Sequence, residues 1–156
     1  MILSPSQLTT LKNWVTANVG GQFTNTAVVA LNAQASPAFT VWRTSVSMKE
    51  IMLNGFDWAR VDNLSVGKQR IWDWMDRFGG GYLDPSKTNI RAGIDATWVG
   101  TAADLAVRAA VYVHCKRFAT VAEKLFATGT GSDASPATLG AEGVITLQNI
   151  EEAAAS

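Results

Sequence analysis

The stretch TAADLAVRAAVYVHCKRFATVAEKLFAT, residues 101–128, carries the longest periodic pattern of the chain. Thr101 with Asp104 three positions later has the spacing of a capping box, a common start of a helix. Apolar and aromatic side chains then recur at steps of three and four, as on one face of an α-helix. The pattern predicts one long helix whose buried face consists of Val107, Val111, His114, Phe118, Val121 and Leu125.

A second apolar line runs along the same predicted helix, about 120° from the first. Leu105, Tyr112, Ala119 and Phe126 form this line, with small residues between them. A helix that is apolar on two sides lies either at the centre of a bundle or between its own subunit and a neighbour. We therefore predict a mostly α fold, a helical bundle around this one long C-terminal helix.

The first helix of the chain has clear start and stop signals. Ser4 is placed as the N-cap, Pro5 as the first helical residue and Gln7 as the partner that reaches back to Ser4. The pair Gly20 and Gly21 then ends the apolar pattern. These signals predict a helix over residues 5–19.

Three shorter helices are predicted from weaker signals. Residues 26–35 are rich in alanine, and Ser47 is placed as the cap of a helix that stops near Asn54. Asp84 followed by Pro85 is typical of a cap and a first helical residue, so another helix is predicted to begin there.

Residues 64–78 form the remaining amphipathic pattern, and this pattern leaves Trp72 about 100° away from its apolar face. Trp72 is therefore a candidate interface anchor, while packing beneath the short helices of residues 47–61 is the alternative. The predicted apolar face consists of Leu64, Ile71, Trp74, Met75 and Phe78.

Residues 129–156 contain four acidic side chains and no Lys or Arg, which leaves the first 128 residues with the opposite charge. Gly129 and Gly131 favour the end of the preceding helix, and the segment has too few large apolar groups for a core of its own. We predict a helical body, residues 1–128, and an extended C-terminal arm that binds a partner. The candidate partner-binding residues of the arm are Leu139, Glu142, Val144, Ile145, Leu147 and Ile150.

Known catalytic, metal and nucleotide motifs are not found in the sequence. His114 and Cys115 are the only residues of their kinds, and neighbours on a helix point about 100° apart, which argues against a catalytic dyad. The glycines at 129 and 131 follow a predicted helix, whereas phosphate-binding loops follow a strand. We therefore expect no enzyme activity and no metal or cofactor. No apolar run of membrane-spanning length or signal peptide is found either, so we expect synthesis in the cytoplasm and no membrane contact.

Two segments, ASPAFTVWRTSV (residues 35–46) and CKRFATVAEKLFATGTGSDASPATLGAEG (residues 115–143), resemble small proteins encoded among the structural genes of tailed bacteriophages and prophages. The resemblance implies a virion structural protein, similar in kind to head-tail connector, or adaptor, proteins. Such a protein forms a homo-oligomeric ring beneath the portal and docks through its C-terminal arm. Its expected partners are the portal and other neck or tail proteins, with packaged DNA as a further contact.

Several alternatives stay open beside the connector. A capsid-decorating or tail-completion protein fits the same resemblance. A small enzyme would have to use His114 as its centre, and a DNA-binding packaging protein would have to gather its cations on one surface. The cations that test this last alternative are Lys68, Arg70, Arg77, Lys87 and Arg91.

Overall fold

The computed structural model describes residues 1–53 and 55–156, in which nine helices and four short strands are found. About 52% of the residues are helical, which confirms the mostly α prediction. The helices and strands are α1 (Pro5–Asn18), α2 (Asn25–Asn32), β1 (Thr40–Trp42), β2 (Val46–Ser47), α3 (Met48–Ile51), α4 (Ala59–Asp62), α5 (Val66–Phe78), β3 (Tyr82–Leu83), α6 (Thr88–Thr97), α7 (Ala102–His114), β4 (Lys116–Phe118), α8 (Val121–Phe126) and α9 (Leu147–Ala155).

The chain forms two compact units. Unit 1 consists of residues 1–41 and 118–156, and unit 2 consists of residues 42–117. Unit 2 is therefore a continuous insertion in the sequence of unit 1. The strands form two small sheets, one pairing β1 with β4 and the other pairing β2 with β3 in antiparallel order.

Three predicted helix starts are confirmed by their capping bonds. The Ser4 hydroxyl accepts from the backbone N–H of Gln7 at 3.3 Å, and the Gln7 side chain accepts from the backbone N–H of Ser4 at 2.9 Å. The Ser47 hydroxyl accepts from the N–H of Glu50 at 3.0 Å and so begins α3, whose predicted stop at Asn54 lies outside the described residues. The capping box of Thr101 begins α7.

The single helix predicted over residues 101–128 is wrong. α7 ends at His114, β4 follows, and α8 begins behind a second capping box. In this box Thr120 Oγ1 accepts from the N–H of Glu123 at 3.2 Å, and Glu123 Oε2 accepts from the N–H of Thr120 at 3.0 Å. The N–H of Ala119 donates to a carbonyl outside the helix, that of Phe39, at 2.9 Å. The predicted bundle around one long helix is accordingly not confirmed.

Because the helix ends at His114, the predicted buried face does not continue as one helical face beyond that residue. Val107 and Val111 are buried as predicted, and Val121 and Leu125 are partly buried in the core of unit 1. Phe118, which lies in β4 rather than on a helix, is 56% exposed. Its predicted burial is therefore wrong.

We expect Phe118→Ala to lower the free energy of unfolding by about 1 kcal/mol or less, because more than half of the residue is exposed to water. Urea denaturation followed by circular dichroism measures this cost, with Val111→Ala as the buried comparison of larger cost. A loss of about 3 kcal/mol for Phe118→Ala, the range of a buried aromatic, would contradict the exposed position.

Asp84 and Pro85 do not begin a helix. Asp84 Oδ1 accepts from the N–H of Ser86 at 3.1 Å and from its hydroxyl at 2.5 Å, so the aspartate stabilises a turn. α6 begins three residues after Pro85, at Thr88. The short polar side chain of Asp84 favours such local turns as well as helix caps, which explains the error.

The predicted extended arm, residues 129–156, is instead part of unit 1. Ile145, Ile150 and Ala153 are fully buried against residues of α1 and α2. The side-chain amide of Asn32 donates to the carbonyl of Ile145 at 2.8 Å and accepts from its N–H at 2.9 Å. The segment cannot form a core alone, so it completes that of α1 and α2, and the predicted boundary at residue 128 is wrong.

Gly131 lies in a tight turn that packs against Phe39. Its φ is +69°, and a Cβ atom at this position would lie 2.1 Å from Cε2 of the Phe39 ring. Its carbonyl accepts from the N–H of Thr40 at 2.7 Å. The glycine is therefore required for close packing within unit 1.

Candidate interaction surface

The structure separates the predicted partner-binding residues of the C-terminal segment into two groups. Ile145 and Ile150 are fully buried and Leu139 is partly buried, all three within unit 1. The predicted role of the two isoleucines as partner anchors is therefore wrong. Glu142, Val144 and Leu147 are exposed, Val144 by 64% and Leu147 by 39%.

Trp72 is a core residue, and its predicted role as an interface anchor is wrong. Only 4% of its surface is exposed. Its ring stacks on that of Phe56 with centroids 5.8 Å apart, and it meets the ring of Trp98 edge-on at 5.3 Å. Trp72 packs in one core cluster with Met48, Ile51 and Phe56, which agrees with the alternative interpretation, packing beneath the short helices of residues 47–61.

The helix α5 is rotated relative to the predicted orientation. Trp72 is buried, whereas Trp74 is 56% exposed and Phe78 is 88% exposed. α6 approaches α5 closely at Gly93, where a Cβ atom would lie 2.7 Å from the sulfur of Met75. The apolar face of α5 is thus divided between the core and the surface.

The exposed part of this face forms one wall of a groove of about 520 Å³ in unit 2. The rings of Trp74 and Phe78 meet edge-to-face with centroids 6.4 Å apart. Tyr82 of β3, 56% exposed, contributes a third aromatic side chain. We call this feature the aromatic groove, and we define it by Trp74, Met75, Phe78, Tyr82, Leu83 and Ile90.

Charged side chains of both signs border the aromatic groove and the depression next to it, with cations in excess. Lys87 lies at its rim, 3.9 Å from Asp84 and with 67% of its side chain exposed. Arg70 and Arg77 line a shallow depression that shares Trp74 with the groove and also contains Asp73. Unit 2 as a whole has eleven basic and eight acidic side chains, whereas unit 1 has two basic and five acidic ones.

The five cations proposed as a DNA-binding set do not form one free surface. Two of them hold their own unit together: Lys68 donates to the carbonyl of Val99, and Arg91 donates to the carbonyls of Pro85 and Ser86 at 2.7 and 2.9 Å. The Arg91 guanidinium also lies 4.9 Å from the ring centroid of Trp42. Arg70, Arg77 and Lys87 line the two concave features described above.

His114 lies in a network of charged groups inside unit 2. Its Nδ1 atom is 3.7 Å from Glu50 Oε1, and Arg43 donates to both carboxylate oxygens of Glu50 at 2.5 and 3.2 Å. The hydrogen bonds from Arg43 lower the pKa of Glu50, with His114 adding to the effect. Burial raises the pKa of the neighbouring Cys115 to about 12, so the thiol is protonated at neutral pH.

No group of three or more His, Cys, Asp or Glu side chains is arranged to hold a metal ion within residues 1–53 and 55–156. None of the helices in the same residues is both long enough and apolar enough to cross a membrane.

Sequence reasoning missed the aromatic groove because it assigned Trp74 and Phe78 to the core. The sequence did contain one signal that Trp74 is exposed. Arg70 and Arg77 are four residues before and three residues after Trp74, so all three share one helical sector, and charged neighbours favour an exposed position. Tyr82 follows a run of three glycines and carries no comparable signal.

No protein-family model, no curated protein and no solved structure matches the chain in the comparisons with known proteins.

Proposed function

We propose that the chain is a structural subunit of a tailed-phage particle, of the head-tail connector or adaptor type. The observation that carries the proposal is the aromatic groove, where Trp74, Phe78 and Tyr82 are each more than half exposed. Clustered exposed aromatic side chains are typical of surfaces that bind another protein. The resemblance of residues 35–46 and 115–143 to phage structural proteins supplies the particular class.

In this proposal the protein assembles into a homo-oligomeric ring beneath the portal and contacts the portal and other neck or tail proteins. The C-terminal segment takes part through its exposed residues, Val144 and Leu147, while Ile145 and Ile150 hold it to its own subunit. The protein is located in the virion and, during assembly, in the host cytoplasm.

Quantitative mass spectrometry of purified particles from the encoding phage or prophage tests the proposal. We expect the chain in a fixed copy number per particle, and we expect it to stay with the neck when heads and tails are separated. A copy number that scales with the capsid surface supports a capsid-decorating protein, the alternative. An abundant chain in the lysate that is absent from particles contradicts both.

A further inference from the structure

Unit 1 has an exposed surface that combines aliphatic side chains with a negative charge. Ile2 is 98% exposed, and Val144 and Leu147 are exposed as described above. Leu147 and Glu151 are four residues apart on α9, so they share one face of that helix. We call this surface the acidic strip, and we define it by Ile2, Val144, Leu147 and Glu151.

The backbone of Met1 holds the parts of the acidic strip together. The Met1 ammonium donates to the carbonyl of Val144 at 3.0 Å. The Met1 carbonyl accepts from the side-chain amide of Asn149 at 3.0 Å, and Asn149 is buried on α9. Met1, the residue before Ile2, thereby contacts both Val144 and the first turn of α9.

The aromatic groove and the acidic strip are both apolar at their centre and differ in the sign of their charge. The aromatic groove offers an apolar floor with Lys87 and Asp84 at its rim, and the adjoining depression contains Arg70, Arg77 and Asp73, so three cations stand against two carboxylates. The acidic strip offers aliphatic side chains with Glu151 beside them, on a unit whose net charge is −3 against +3 for unit 2. Apolar burial combined with opposite charge is the usual basis of a specific protein contact.

We propose that the aromatic groove of one copy of the chain binds the acidic strip of a second copy. The inference rests on the proposed function, which requires self-assembly, and adds the surfaces that meet. Because the two surfaces differ, the contact is head-to-tail, and a dimer keeps one free groove and one free strip to which further copies add.

Sedimentation velocity of the full chain at increasing concentration provides the first test. We expect association at concentrations of about 100 μM, weaker at high salt because opposite charges meet across the contact. Phe78→Glu places a carboxylate opposite Glu151 of the strip, and Leu147→Glu replaces an apolar side chain by a carboxylate that loses its water against the apolar floor of the groove. Each variant should weaken association at least about tenfold while the circular dichroism spectrum is unchanged.

Mixing the two variants provides the sharper test. The Phe78→Glu chain keeps an intact strip, and the Leu147→Glu chain keeps an intact groove. In an equimolar mixture one kind of contact can form, between that strip and that groove. We expect the mixture to form dimers and to stop there, although each variant alone is monomeric. Val29→Glu and Val113→Glu are the matched controls, because these valines are 72% and 71% exposed and lie outside both surfaces.

Four results would overturn the inference. The first is a wild-type chain that stays monomeric at about 100 μM. The second is a Leu147→Glu chain that associates as the wild type does, which indicates a symmetric groove-to-groove contact or another occupant. The third is a mixture with no dimers. Incorporation of both variants into particles at the wild-type copy number would overturn this inference and leave the proposed function standing.

Discussion

Replacing Trp98 by alanine lowers the free energy of unfolding by about 3 to 5 kcal/mol, the range for a buried aromatic side chain. Trp98 is fully buried, and its ring meets that of Phe56 edge-on at 5.5 Å and that of Trp72 at 5.3 Å. Alanine leaves a cavity among aromatic rings that cannot close without losing these contacts. Urea denaturation monitored by tryptophan fluorescence and circular dichroism measures the loss.

Trp74→Ala is the matched control for this prediction. It removes the same side chain from unit 2, but from an exposed position, so we expect a cost of about 1 kcal/mol or less. Similar costs for the two variants would contradict the assignment of Trp98 to the core. Trp98→Phe should cost less than Trp98→Ala, because the Trp98 indole N–H is buried and has no hydrogen-bond partner in the described part of the chain.

Deleting residues 132–156 unfolds unit 1. The deletion removes Ile145, Ile150 and Ala153, which cover the apolar sides of α1 and α2. The single change Ile150→Ala should lower the free energy of unfolding by about 2 to 5 kcal/mol, as for other fully buried aliphatic side chains. Hydrogen exchange of the α1 amides measures the loss within unit 1.

Leu147→Ala is the control for Ile150→Ala, since both residues lie on α9 and Leu147 is 39% exposed. We expect a cost of about 1 kcal/mol or less for this variant. If the chain without residues 132–156 unfolds cooperatively and its α1 amides are protected from exchange, the deleted segment is not part of the core of unit 1. That result would support the extended arm that the sequence predicts.

The local features of this fold could be predicted because short-range bonds determine them. Ser4, Ser47 and Thr101 begin helices where a cap residue and its partner three positions later are visible in the sequence. The break after His114 could not be predicted in the same way. Thr120 and Glu123 also form a capping box, but they lie inside an apolar pattern that continues at helical spacing on both sides.

The candidate interaction surface could not be predicted from the sequence, because it depends on packing between segments that are distant in sequence. Periodicity identified α5 as amphipathic, yet the close approach of α6 at Gly93 decides which side is buried. Contacts with Phe56 and Trp98 hold Trp72 in the core, whereas Trp74 is exposed, a reversal of the prediction. Likewise, only the fit of Ile145 and Ile150 against α1 and α2 shows that the C-terminal segment is a part of unit 1.

The insertion of unit 2 into unit 1 affects the order in which the two units form on the ribosome. Unit 2 is complete in sequence once Arg117 has been made, whereas α1 and α2 emerge first and wait for Ile145 and Ile150. At translation rates of 5–20 residues per second, synthesis of residues 118–156 takes about 2 to 8 s. During that time the nascent chain presents Leu11 and Val15 without their final cover, a state that chaperones recognise.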